Sequence, residues 1–349
     1  MQSMTVIRCG EDERIGRVLS FIGGKGVSLE FSSPEGLKKI KNVLLLFAVA
    51  VDELGQDARF TELIRTVRSL GDGLNGYLAG VIVVGKTELD TKDVGRRLIF
   101  HLDRAGCSFP ERPLVEATGS MRNLNIIKKN LELESLEDAL CCAADSLVGR
   151  MLGFDPPKYL KPRLLVLHAS DHATSNTLSL GELVISFLDS RFSVRTLSLR
   201  NGTIEDCRGC SYKVCSHFAS KGTCFYGGSI ADEVFPAVRE CDALLLLLPN
   251  YNDSVGANIM AFINRLTSLH VNNTLSGRRL FAIVVSGYSG GDLVAEQAMG
   301  ALCLNKSFLL PPGFCMLETA NDPGEILTLP DIRLRAEAFA RNMKHELLL

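Results

Sequence analysis

Along most of the 349 residues, short and nearly uninterrupted apolar runs alternate with longer segments whose apolar residues recur every three or four positions. Runs at 164–168, 194–199, 243–248, 280–286 and 314–318 predict five strands, and their continuous apolarity predicts burial on both faces. Residues 176–190, 229–240, 255–270, 291–303 and 331–346 predict the intervening and closing helices. The pattern is clearest at 255–270, where Val255, Ile259, Phe262, Ile263, Leu266 and Leu269 share one face. Such alternation predicts an α/β domain with a doubly wound, five-stranded parallel sheet.

The N-terminal half has the same grammar, with strands at 43–51, 80–84 and 113–116 and helices at 57–70, 91–105 and 135–151. Residues 1–40 contain Gly23-Gly24-Lys25-Gly26 and too little periodicity to be placed. Sliding the chain by 161 positions lays Val94-Gly95 on Val255-Gly256 and Asp103-Arg104 on Asn264-Arg265, which reads as the trace of a duplicated α/β unit. Between the halves, 154–162 carries three prolines and favours an extended connector. The expected division is a first domain at 1–155, a linker at 156–162 and a second domain at 163–349.

Composition narrows the function classes. With 46% apolar residues the chain can bury more than one core. A net charge of -2 without a run of lysine and arginine argues against nucleic-acid or anionic-membrane partners. The longest apolar run, 43–51, falls far below the roughly 20 residues that cross a bilayer, and no apolar signal region opens the chain, so a soluble cytoplasmic protein is expected. The 11 cysteines suit a reducing compartment. Seven are scattered and read as small buried apolar residues.

In an open parallel sheet, ligands sit at the carboxyl ends of the strands. After the strand at 164–168, Ser170, Thr174, Ser175, Asn176 and Thr177 gather before a helix. They read either as helix caps or as donors for a terminal phosphate. The third strand leads into Pro249-Asn250-Tyr251-Asn252, which suits a flat ring with a polar edge and equally suits a solvated turn. The fourth leads into Ser286-Gly287-Tyr288-Ser289-Gly290-Gly291, where backbone can approach a ligand closely.

Residues 164–270 resemble the NADPH-dependent FMN reductase and multimeric flavodoxin-type proteins, including the iron–sulfur flavoproteins. The family's first loop runs Gly-Ser-Pro-Arg, a spacer and Asn-Thr, matched here by Ser170 and Asn176-Thr177. Its third loop runs Ser-Pro-x-Tyr before a helix ending Phe-Ile-Asp-Arg, matched by Pro249-Asn250-Tyr251 and Phe262-Ile263-Asn264-Arg265. His168-Ala169 and Asp171-His172 depart from the pattern, and the missing arginine puts phosphate affinity and the choice of NAD(P)H in doubt. The resemblance implies a flavodoxin-like fold and FMN, with Ser170, Ser175, Asn176 and Thr177 on the phosphate. It places Pro249, Asn250, Tyr251 and Asn252 along the isoalloxazine, with Ser286 and Gly287 closing the other side. It also implies NAD(P)H as reductant, a small-molecule or redox-protein acceptor, and a homo-oligomer. The first half carries carboxylates in the corresponding turns and is expected to be a degenerate unit without flavin.

Cys207, Cys210, Cys215 and Cys224 stand in a C-x2-C-x4-C-x8-C run, close enough in sequence to enclose one metal. Iron–sulfur flavoproteins have a tighter four-cysteine run at this place, which implies a [4Fe-4S] centre; a structural zinc and no metal at all stay open, with His217 as a substitute ligand. No hydrolytic triad or paired catalytic carboxylates are found, and a flavin enzyme needs none. An NAD(P)H-dependent FMN oxidoreductase is the leading expectation. A non-enzymatic electron carrier and a cofactor-free interaction module are the alternatives.

Overall fold

A computed structural model describes residues 3–40, 42–55, 58–170, 174–200, 204–271 and 275–349. They form two compact units, Met1–Asp155 and Pro156–Leu349. The first runs β1 (Ser3–Cys9), α1 (Glu13–Gly24), β2 (Ser28–Ser32), β3 (Leu44–Val51), α2 (Ala58–Ser69), β4 (Leu78–Gly85), α3 (Thr91–Arg104), β5 (Leu114–Ala117), α4 (Asn125–Asn130) and α5 (Leu136–Leu152). Its strands pair in parallel in the order β2-β1-β3-β4-β5. The unplaced residues 1–40 therefore supply a complete β-α-β entry. Thr5 and Arg8 interrupt the apolar run of β1, and β2 lies half-exposed at the sheet edge with little pattern to read.

The second unit runs β6 (Arg163–His168), α6 (Asn176–Ser186), β7 (Ser193–Ser198), α7 (Tyr212–Ala219), α8 (Phe235–Glu240), β8 (Ala243–Pro249), α9 (Ala257–Arg265), α10 (Thr267–His270), β9 (Arg279–Ser286), α11 (Gly291–Met299), β10 (Cys315–Thr319) and α12 (Ile332–Leu347). Its parallel order is β7-β6-β8-β9-β10. In both sheets the first strand lies between the second and the third, which is the flavodoxin-like order 2-1-3-4-5. Leucine-rich β8 and its neighbour β9 lie inside the sheet and are buried almost throughout, as parallel strands covered by helices must be.

Three expectations need correction. The strand read at 194–199 is not buried on both faces: β7 is an edge strand and most of it is exposed. The helix read at 229–240 opens with a wide π turn at Ile230–Val234, next to Pro236, whose missing N–H removes an ordinary helical bond. The helix read at 255–270 is two helices, α9 and α10, parted at Leu266.

The internal similarity also has a different register. Sliding by 161 lays α3, which follows the fourth strand of its sheet, on α9, which follows the third. The backbone pairs otherwise. The Leu78–Ser108 bridge recurs as Arg279–Leu309, and Asp52–Gly55 recurs as Tyr251–Ser254. The bond from Val81 N to Pro113 O recurs from Ala282 N to Phe314 O, both at 2.9 Å. The long excursion between β7 and β8 lengthens the offset from that point on, so no single slide of the sequence aligns the two units throughout.

Among the described residues, no helix is long and apolar enough to cross a membrane.

Candidate functional site

The carboxyl ends of β8 and β9 lie side by side, with Pro249 in register with Val285. Asn250 joins the loops that follow. Its Nδ2 donates to Ser286 Oγ at 3.2 Å, to Ser289 O at 2.7 Å and to Asp253 Oδ1 at 3.3 Å. Its Oδ1 is buried and has no hydrogen-bond partner among the described residues. Asn252 and Asp253 both take left-handed backbone, at φ 54° and 55°, inside the Tyr251–Ser254 bridge. Consecutive left-handed residues make the tight I′ hairpin turn, and Asn and Asp tolerate it better than other side chains. The Gln297 side chain accepts from Val255 N at 2.7 Å and fixes the chain entering α9.

Gly290 precedes α11 at φ 80°, and a Cβ there would lie 1.9 Å from Asp253 Oδ1. Both the backbone and the close approach require glycine. Gly287 also admits backbone closely, but toward Asn321, whose Oδ1 would stand 2.9 Å from a Cβ. Ser286 is buried beneath the loops. Tyr251 is 64% exposed and Tyr288 is 90% exposed, so each loop presents one open aromatic ring. Beside them a cavity of about 450 Å³ lies between the Ser286–Asp292 loop and Leu317, Glu318 and Thr319. Glu318 is held there by Arg335 through bonds of 2.7 and 2.9 Å.

In the first loop the capping reading and further contacts are visible. Ser175 caps α6, accepting from Leu178 N at 3.3 Å, and the Ser170 N–H donates to His168 Nδ1 at 3.2 Å. Thr177 is buried. The Asn176 amide donates to Ala320 O at 3.3 Å and Asp322 O at 2.9 Å and accepts from Ile326 N at 3.4 Å. It ties the start of α6 to the turn after β10. Asp171 and His172 lie outside the described residues. Glu318 and the turn after β10 were not singled out by sequence. The position of 317–322 at the carboxyl end of the fifth strand is the signal that could have found them.

The four-cysteine run lies in the excursion after β7. Cys207 is exposed, and Cys210, Cys215 and Cys224 are half-buried. Burial and the neighbouring Cys210, Cys207 and Cys224 push the Cys215 thiol up, so the four sulfurs are within electrostatic reach. Among the described residues, however, no group of three or more Cys, His, Asp or Glu side chains is arranged to hold a metal ion. The expected [4Fe-4S] centre therefore finds no support among the described residues. His217 packs edge-on against Phe218. Asn264-Arg265, part of the family pattern, clamps this excursion: Asn264 Nδ2 donates to Asp206 Oδ1 at 2.9 Å and buried Arg265 donates to Gly227 O at 2.6 Å.

At the matching end of the first sheet, the Arg14 guanidinium ties the strand ends together. It pairs with Asp12 at 2.8 Å and donates to Gly85 O at 3.0 Å and Thr118 O at 3.2 Å, bridging the ends of three chain segments. That pairing holds the Asp12 carboxyl below the usual carboxylate range, its hydrogen bonds to Arg14 outweighing burial.

No curated protein matches this sequence. Among solved structures, the NAD(P)H:quinone oxidoreductase of Methanothermobacter marburgensis shares 13% identity, covering 53% of this chain and 98% of its own, with a TM-score of 0.39. An FMN-dependent NADH-azoreductase of Bacillus anthracis, solved with FMN, shares 12% identity over 52% of this chain and 99% of its own, with a TM-score of 0.36. RosB, solved with an 8-demethyl-8-formylriboflavin-5'-phosphate intermediate, shares 13% over 53% of this chain and 78% of its own, with a TM-score of 0.43. The resemblance read from the loops is borne out at the level of the family: residues 162–322 match NADPH-dependent FMN reductase, a flavin oxidoreductase family.

Proposed function

We propose that the second unit binds FMN at the carboxyl ends of β6, β8 and β9 and acts as an NAD(P)H-dependent oxidoreductase on a small-molecule acceptor. The observation that carries this reading is Asn250. One amide fastens two loops that meet at the sheet's carboxyl edge, and its buried oxygen lacks the donor that the edge of a flavin ring supplies. When bound, FMN supplies the hydride and electron chemistry.

The chain contributes placement. Pro249, Asn250, Tyr251 and Asn252 form the ring wall, and Ser286 buttresses Asn250. Gly287 sets the neighbouring backbone by its close approach to Asn321. Ser170, Ser175, Thr177 and the free N–H groups opening α6 take the phosphate, while Asn176 positions that helix end. Two exposed tyrosines leave the mouth open to a nicotinamide or an acceptor. The first unit takes no flavin in this reading, since Arg14 ties the equivalent strand ends together.

The test is FMN titration of the purified chain followed by anaerobic addition of NADH or NADPH. Tight binding with bleaching of the flavin band by either nucleotide supports the proposal. Failure to bind FMN refutes it, and bleaching only by a reduced protein donor turns the oxidoreductase into an electron carrier. Asn250→Leu, which keeps size and removes the amide, is expected to weaken FMN binding about tenfold or more, as loss of a buried hydrogen-bonding group does.

A further inference from the structure

We propose that Cys207 and Cys210 form a redox-active dithiol that reduces low-molecular-weight disulfides, Cys207 attacking and Cys210 resolving. The segment Cys207-Arg208-Gly209-Cys210 has the two-residue spacing at which paired thiols close a disulfide. Gly209 takes left-handed backbone at φ 67° between them, turning the chain. Cys207 is exposed and Cys210 is half-buried, the order in which an incoming disulfide and a resolving thiol are needed.

The turn is fastened on both sides. The Cys207 N–H donates to Asp206 Oδ1 at 2.6 Å, and Asn264 holds the same oxygen. Arg208 pairs with Glu205 at 3.0 Å and lies over the Tyr226 ring at 5.0 Å. Two further groups stand near the sulfurs. Buried Lys306, bonded to Thr267 Oγ1 at 3.4 Å, is within electrostatic reach of Cys207, and burial pushes its ammonium down from the usual lysine range. Cys215, on α7, is within electrostatic reach of Cys210.

The chemistry balances without another reactant. The Cys207 sulfur anion attacks one sulfur of the substrate, forming a mixed disulfide and releasing the first thiolate. The Cys210 sulfur then attacks Cys207, breaking the mixed disulfide and releasing the second thiolate. Two protein thiols are oxidised to one disulfide, the substrate disulfide is reduced to two thiols, and the two thiol protons pass to the leaving groups.

The experiment exposes the reduced full-length chain to glutathione disulfide without oxygen, alkylates the remaining thiols and maps the peptides by mass spectrometry. In the wild-type chain a Cys207–Cys210 link is expected as the dominant product. Cys210→Ser should trap glutathione on Cys207, and Cys207→Ser should react no faster than the half-buried Cys142. A dominant link between other cysteines, glutathione trapped elsewhere in the Cys210→Ser chain, or stoichiometric iron or zinc shielding all four thiols would overturn the proposal. The wild-type map requires no variant to fold.

Discussion

Replacing Gly290 with alanine tests whether the two loops meet as described. Alanine in left-handed backbone costs about 1–2 kcal/mol relative to its preferred conformations. Its Cβ would also stand 1.9 Å from Asp253 Oδ1 and 2.7 Å from Asp253 Cγ, so the carboxylate must move. Because that carboxylate ends a short, rotatable side chain, the clash is relieved by rotation rather than by backbone shift. The loss is then the Asn250–Asp253 hydrogen bond at 3.3 Å, about 1 kcal/mol. The sum is about 2–3 kcal/mol. Gly324 supplies the control, having nearly the same φ of 79° with nothing within 4 Å of a Cβ, so Gly324→Ala incurs only the backbone cost. Urea unfolding followed by circular dichroism measures both variants, and FMN titration measures the site. Gly290→Ala should be the less stable of the two by about 1 kcal/mol and should lose about tenfold or more in FMN affinity, while Gly324→Ala keeps that affinity. Equal stability of the variants, together with unchanged FMN binding, would refute the contact between the loops.

Asn176→Ala removes three bonds between α6 and the 320–326 turn and should destabilise the second unit by about 1–3 kcal/mol, read by urea unfolding. If Asn176 instead bound phosphate directly, FMN affinity would fall with stability unchanged. Arg265→Met breaks the clamp at Gly227 and Glu205 and should make the half-buried Cys210 and Cys215 alkylate faster in timed mass spectrometry. Cys241 should stay unmodified in the same experiment, since burial pushes its thiol up to about 12. In the first unit, Arg14 holds Asp12 below the usual carboxylate range. The folded-state value is depressed, so its stabilisation is present above the ordinary carboxylate range and is lost as pH falls through the depressed value. Stability curves at neutral and acid pH should show that loss, and Arg14→Met should flatten it.

Periodicity made eight of the ten strands of the two sheets legible. Where a strand is central and parallel, as in β8 and β9, burial on both faces leaves an unbroken apolar run that no other element imitates. The two unplaced strands, β1 and β2, failed for a local reason: one is interrupted by Thr5 and Arg8, and the other is a half-exposed edge. Edge position is a tertiary property. It also explains why β7, though correctly placed, was wrongly expected to be buried.

The site divides in the same way. The sequence by itself determined which residue types stand at the ends of which strands, because the order of elements places Pro249–Asn252 and the Ser286–Gly291 loop beyond buried strands. Only the tertiary structure decided what each side chain reaches. Asn176 and Asn250 are both amides after a strand, yet one holds the turn after β10 and the other joins two loops and keeps a buried oxygen unpaired. Asn264-Arg265 stands in the family pattern, but its partners lie in the cysteine excursion, far away in sequence. The sulfurs of that excursion are within electrostatic reach of one another, yet no metal-binding group is found among the described residues, a distinction that spacing cannot express. Backbone preference and burial pattern are local and leave marks in the chain, whereas hydrogen-bond partners are fixed only when distant segments pack.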